Sequence, residues 1–195
     1  VKLRLFDIKS GPRLVKVDTD DPQAALYTLE HPRIIWAWGT SESKIAAINR
    51  SIPDTPWDIL VNVSDDTVFT KYGFDAIIRH HCGEDDFILF PEPFMETQVV
   101  KGWNDRIAIM SVIGWKYYER DGWVYNPVYK SLFADNEATE VARLRGRCKE
   151  VEDKIFYHAH PAAGYPTGDA QYKHTDSFYY EDKAVYEKRK GEGFV

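Results

Sequence analysis

Apolar residues in the first third of the chain fall in short runs rather than in the spacing of long helices. Leu14–Val17 ends in Asp18-Thr19-Asp20-Asp21, Arg33–Trp38 ends in Gly39-Thr40-Ser41, and Ile59–Val61 leads to Ser64-Asp65-Asp66. Short apolar runs closed by turn residues predict strands covered on both faces. Between them the period changes. Asp21-Pro22 reads as an N-cap and first helical residue, opening a helix to about Glu30 that His31-Pro32 stops. Ser41–Ile52 is predicted helical, with Ile45, Ile48 and Ile52 on one face, and Pro53–Pro56 breaks it. Strand, helix, strand, helix, strand is the order of βαβ units and predicts a parallel sheet. Val1–Ile8 alternates loosely, as a strand or the tail of a helix would, before a turn at Lys9–Pro12.

The same reading carries through the second half. Tyr72–His81 predicts a helix with Phe74, Ile77 and Ile78 inward, and Phe87–Phe90 a strand with a rigid exit at Pro91-Glu92-Pro93. Ile107–Val112 predicts a further strand leading into a short helix at Trp115–Glu119, and Asp121-Gly122 turns the chain into Trp123–Tyr125. Asp135–Arg145 is predicted helical with Asp135 as N-cap, and Lys154–His158 a strand that delivers His158-Ala159-His160. Asp169–Lys190 reads as one long amphipathic helix with Tyr172, Tyr179 and Tyr186 in line. No internal repeat or linker interrupts the pattern, so residues 1–195 are expected to form a single α/β domain: a mostly parallel central sheet flanked by helices.

Composition narrows the function classes. A chain of 195 residues, 44% hydrophobic and 29% charged, has the make-up of an ordinary globular domain. Its formal net charge of −6 argues against a broad nucleic-acid footprint. No apolar run reaches the length of a membrane span, and no signal-peptide pattern is seen. Cys82 and Cys148 lie far apart without CxxC spacing, which suggests neither a disulfide framework nor a zinc site and fits a reduced, cytoplasmic compartment.

The candidate chemistry gathers at strand ends. Adjacent carboxylates such as Asp65-Asp66 repel each other at the lip of a buried strand, and a divalent cation between them and a phosphate relieves the repulsion. Ligands of open α/β sheets bind outside the carboxyl ends of the strands. Ser64-Asp65-Asp66 also suits a simple capped turn, and Asp18-Thr19-Asp20-Asp21 is by itself a good helix cap. Strand alternation places His158 and His160 on one side. His80-His81 reads as a surface pair at a helix end, and Asp85-Asp86, preceding a strand, belongs on the opposite rim.

Five stretches in order, LVKVDTDD (Leu14–Asp21), SKIAAINRSI (Ser43–Ile52), ILVNVSDD (Ile59–Asp66), FADNE (Phe133–Glu137) and FYHAHP (Phe156–Pro161), resemble the nucleotide-sugar-dependent glycosyltransferases of the GT-A fold, in the family-2-type group. The resemblance runs from about Leu14 onwards. It implies a metal-dependent transferase that moves a sugar, with inversion, from a nucleotide-diphosphate donor (a UDP-sugar) to a carbohydrate or other hydroxyl acceptor. By the same resemblance Asp18 or Asp20 would contact the nucleobase, Lys44 the base or phosphate, and Asp65 the ribose. Asp66 would coordinate Mn²⁺ or Mg²⁺, with a further contact from His158 or His160. Asp135, with Glu137 beside it, takes the catalytic position, Asp135 as general base. Aromatics after Glu92, including Trp103, Trp115, Tyr117 and Trp123, would build the acceptor side.

One departure stands out. Only Val1–Arg13 precedes Leu14, too short for the strand, loop and helix with which that fold opens. The first βα unit is therefore expected to be missing or rebuilt, which would leave an apolar edge for pairing with another chain, as in a homo-oligomer. The alternatives in view are a nucleotidyltransferase of related fold, for which no Gly-rich phosphate loop is found, and a catalytically degenerate binding or assembly module.

Overall fold

In the computed structural model, which describes residues 13–19, 32, 34–64, 66–93, 96, 106–159 and 170–195, the chain is built around a four-stranded sheet. Its strands are β3 (Ile59–Val61), β5 (Phe87–Leu89), β6 (Val112–Gly114) and β7 (Cys148–Glu150), in the spatial order β3-β6-β5-β7. β1 (Arg13–Asp18) and β2 (Ile34–Gly39) form a separate parallel pair. β4 (Thr67–Phe69) and β8 (Phe156–His158) form an antiparallel one. The helices are α1 (Lys44–Asn49), α2 (Phe74–His81), α3 (Trp115–Glu119), α4 (Ala134–Leu144), α5 (Ala170–Ser177) and α6 (Tyr179–Gly191).

Side-chain alternation explains the layering. Phe87 and Leu89 of β5 join a core with Ile113, Ile45, Tyr117, Ala142 and Tyr186, drawn from α1, α3, α4 and α6. Ile88 and Phe90 face the other way, into a core with Val112, Phe74, Ile78 and Phe156 from α2 and β8. Both faces of β5 and β6 are thus covered, as their unbroken apolar sequences require. The α/β architecture follows the sequence pattern.

The expectation of a mostly parallel sheet is corrected. β6 runs antiparallel to both β3 and β5, and only β5 and β7 pair in parallel within the four-stranded sheet. The reason is geometric: β5 ends on the rim where β6 begins, so the chain returns against its own direction instead of crossing over. With β6 reversed, β3 and β5 point the same way, and their carboxyl ends share one rim. Asp85-Asp86 at the amino end of β5 lies on the opposite rim, as expected. There Asp85 meets Arg120 and Arg147, and Asp86 accepts from the Gly83 amide at 2.7 Å.

Several boundaries move for identifiable reasons. The predicted strand at Ile107 begins only at Val112, because the chain before it bends at Ile109-Met110, with Ile109 N donating to Ile107 O at 3.2 Å and Ala108 N to Thr139 Oγ1 at 3.0 Å. Gly114, where β6 turns into α3, must be glycine, since a Cβ there would lie 2.2 Å from the Gly83 carbonyl oxygen. The long C-terminal helix is two helices divided at Phe178, and Tyr186 is buried whereas Tyr179 is exposed. The predicted helix Pro22–Glu30 and the run Val1–Ile8 lie outside the described residues.

What divides that C-terminal segment is its anchoring. Asp182, 1% exposed, accepts the backbone amides of Lys130, Ser131 and Leu132 at 3.0, 2.8 and 2.7 Å. Arg189 grips Glu137 of α4 with two parallel bonds, Nε to Oε2 at 2.7 Å and Nη2 to Oε1 at 3.0 Å. Such fork-to-fork pairing is strong and directional. Removing one partner strands the other as a buried charge. Arg189→Ala is therefore expected to lower stability by about 3–5 kcal/mol, whereas the double replacement Glu137→Leu with Arg189→Met, which leaves no buried charge but takes the acceptor from Tyr129 and Asn126, should recover only part of that loss. Urea unfolding midpoints check both, and an Arg189→Ala protein as stable as the parent would contradict this account of the interface.

Candidate active site

The rim at the carboxyl ends of β3 and β5 collects polar groups because both sheet faces are apolar. After Val61 the chain leaves the sheet, and Asn62 N still pairs with Ser111 O. Ser64 to Thr67 then closes a tight turn, with Thr67 N donating to Ser64 O at 3.1 Å and Ser64 N to Thr67 Oγ1 at 3.3 Å. Asp66 sits inside this turn and accepts from Ser64 Oγ through Oδ1. So the capped turn that the sequence allows is present. The same carboxylate also does more.

Asp66 Oδ2 lies 2.8 Å from His158 Nε2, with side chains only 14% and 18% exposed. The β4–β8 pairing makes this contact inevitable: Thr67 is opposite His158 in the register, and Ala159 N donates to Asp66 O at 2.8 Å. His158 is held from the far side as well, its backbone N donating to Oε1 of Glu92 at 3.1 Å. Glu92 is 3% exposed and stands just past the end of β5.

Asp135 stands in the first turn of α4 and is not the N-cap. That place belongs to Phe133, which takes a left-handed backbone (φ 61°) with no capping side chain. Asp135 instead accepts from the amide of its own neighbour, Asn136, at 3.0 Å. The correction matters chemically, because a left-handed non-glycine residue is strained, and such strain clusters at functional sites. Burial pushes the Asp135 carboxyl above its ordinary value, against the pull of Lys44, of the amides of Asn136 and Asp135, and of His158. Lys44 and His158 therefore act electrostatically on the same carboxylate. Lys44 opens α1, which Ser43 caps by accepting from Ala46 N at 3.1 Å. Ile45 N donates to Lys130 O at 3.1 Å and ties the start of α1 to the segment before α4.

Four residues singled out in the sequence are thereby related: Asp66 and His158 by direct contact, and His158 and Lys44 to Asp135 through its charge. Glu137 is not part of that group. Though only two residues beyond Asp135, it is 4% exposed and takes hydrogen bonds from Asn126 at 2.9 Å, Tyr129 at 2.7 Å and Arg189. Asp18 ends β1 level with Gly39, and its side chain is outside what the structure describes, as are Asp20, Asp65 and His160. Of the expected acceptor aromatics, Trp115 and Tyr117 lie past the end of β6, on the opposite rim. Trp115 packs edge-on against Trp57 at 5.1 Å, and Tyr117 against Phe87 at 5.7 Å. Trp103 is outside the described residues.

Two residues at the rim escaped the sequence reading. Glu92 carried a usable signal, an acidic residue following a buried strand, but its flanking prolines read as a mere exit. Tyr125 carried none. Its hydroxyl accepts from Ser111 Oγ at 2.9 Å and bonds to Asn62, and burial, with the Asp135 charge adding to it, drives the phenol upward.

The donor types fit a hard or borderline divalent cation, since a carboxylate oxygen and an imidazole nitrogen are both ligands that Mn²⁺ accepts. Among the described residues, no group of three or more His, Cys, Asp or Glu is placed to hold a metal ion. Asp66 and His158 offer two donor atoms. No helix among those residues is long and apolar enough to cross a membrane. No family model, curated protein or solved structure matches the chain.

The state of Asp135 has a measurable consequence. Because its folded-state pKa is raised, the fold binds this proton more tightly than the unfolded chain does. The stability this contributes is fully present below the ordinary 3.8 and is lost as pH rises through the folded-state value. Asp135→Asn, which keeps an oxygen for the Asn136 amide, should therefore be more stable than the parent at pH 7, with the gain shrinking towards pH 3. Urea midpoints against pH would read this, and a variant less stable at neutral pH would contradict it.

Proposed function

We propose that this chain transfers a sugar from a nucleotide-diphosphate donor to an acceptor hydroxyl, in the manner of the GT-A glycosyltransferases that its motifs resemble. The observation that carries the reading is the Asp66–His158 contact, together with the charge effects of His158 and Lys44 on Asp135. These residues come from four separate stretches of the sequence. All four of those stretches are ones in which the resemblance expects donor, metal or base residues.

Each group has a task suited to its surroundings. Asp66 and His158 would hold a divalent cation, which when bound supplies the positive charge that a diphosphate leaving group needs. Lys44, exposed at the start of α1, adds a second positive charge for the donor phosphates. Asp135 takes the acceptor's proton. Burial makes its carboxylate a stronger base than a solvated one, and Lys44 offsets part of that rise. Glu92 holds the His158 backbone, and the Ser111–Tyr125 bond adds no charge of its own.

The test separates binding from chemistry. UDP with Mn²⁺ should raise the melting temperature of the parent protein, and Asp66→Asn should abolish that rise while leaving the ligand-free midpoint nearly unchanged. Asp135→Asn should retain the UDP–Mn²⁺ shift and lose about 10²–10⁴-fold in UDP-hexose turnover. A parent protein that responds neither to UDP–Mn²⁺ nor to a UDP-hexose is a binding or assembly module, and one that prefers a nucleoside triphosphate is a nucleotidyltransferase. Either result overturns the proposal.

A further inference from the structure

One face of α6 does a single job. Tyr179, Asp182, Tyr186 and Arg189 follow one another at intervals of three, four and three residues, the spacing that aligns side chains along a helix. All four close on the segment from Lys130 to Glu137. Asp182 takes the amides of Lys130, Ser131 and Leu132, so that a buried carboxylate is met by three converging N–H groups. Tyr186 stacks on Phe133 with ring centres 5.5 Å apart and planes 27° from parallel, and Tyr179 meets the same ring at 5.5 Å. Arg189 holds Glu137 at the end of the segment.

Phe133 is the point of interest. Its left-handed backbone is unfavourable for a bulky residue, and the chain keeps it only because the surroundings leave no alternative. The grip is applied before it, on it and after it: by Asp182, by the two tyrosines and by Arg189. The left-handed turn at Phe133 sets the direction of the helical turn that carries Asp135. Anchoring of α4 by Arg189 alone would leave that bend free to relax.

We infer that α6 is a positioning element for Asp135, with Asp182 as its central residue; the catalytic meaning of this rests on the transferase reading above. Asp182 touches neither Asp66 nor His158, which β4 and β8 hold from elsewhere. Loosening it should therefore disturb Asp135 and spare the metal-side pair.

The experiment compares the parent chain with Asp182→Asn, which removes the charge at constant size, and with Asp182→Glu, which keeps the charge but displaces the loop by one methylene. Should the first variant fail to fold, the second carries the test. Ile78→Val in the separate core under α2 serves as a control for general destabilisation. Amide hydrogen exchange and amide shifts are read by NMR at residues 45, 130–137 and 158, and turnover of UDP-glucose, UDP-galactose and UDP-N-acetylglucosamine is read with Mn²⁺. The expected result is exchange at least tenfold faster at 134–136 as well as at 130–132, an unchanged His158 amide, and a kcat at least tenfold lower with Mn²⁺ dependence within twofold. The Ile78 control should show none of this pattern. Changes confined to 130–132 and to α6, or turnover equal to that of the parent, would overturn the inference. A parent chain with no turnover refutes the transferase reading, and the exchange pattern alone then decides whether α6 positions Asp135.

Discussion

Covering both faces of β5 and β6 is the constraint from which the arrangement follows. Phe87, Ile88, Leu89, Phe90, Val112 and Ile113 are all 2% exposed or less, so neither face has room for a polar group. Polar side chains that belong to these strands can exist only at the rims, where the backbone leaves the sheet. The antiparallel entry of β6 then fixes which ends share a rim. Asn62, Ser64, Asp66, Glu92 and Ser111 are brought together by this topology before any side-chain interaction is considered.

At that rim the electrostatics are arranged by contrast. Asp66 is held by His158 and tied into a turn by Ser64, whereas burial raises the Asp135 carboxyl against only partial compensation from Lys44, two amides and His158. One carboxylate is comfortable and the other is not. Pairs of acids whose environments differ in this way can divide binding from proton transfer, and the proposed function assigns these two acids accordingly. The third acid of the region, Glu137, belongs to neither role: its four hydrogen bonds, two of them from Arg189, make it the joint between α4 and α6.

The strands were legible because their period is short and local. Leu14–Val17, Ile59–Val61 and Phe87–Phe90 read as strands from their own residues, and the helices at Phe74–His81 and Ala134–Leu144 from theirs. Strand direction was not legible, since it depends on where the return connection enters the sheet. Nor was the division of the C-terminal segment at Phe178, which lacks any helix-breaking residue and follows from the anchoring of Asp182 fifty residues back in the chain. At the candidate site, Asp66 and His158 were singled out because each was read at a strand end, and the structure brings the two side chains into contact. Asp135 was found for its motif but assigned the wrong local role, because nothing in Phe133 announces a left-handed backbone. Glu92 and Tyr125 matter only through tertiary contacts, and a single sequence does not display those.

The central proposal is that Asp66 and His158 share one cation, and that this cation holds the donor diphosphate. Crystals grown with UDP and Mn²⁺, with data collected for anomalous scattering, address it most directly. The account predicts a manganese peak bonded to an Asp66 oxygen and to His158 Nε2, with the diphosphate on its open side. A peak at any other place, or none at saturating UDP and Mn²⁺, would contradict it.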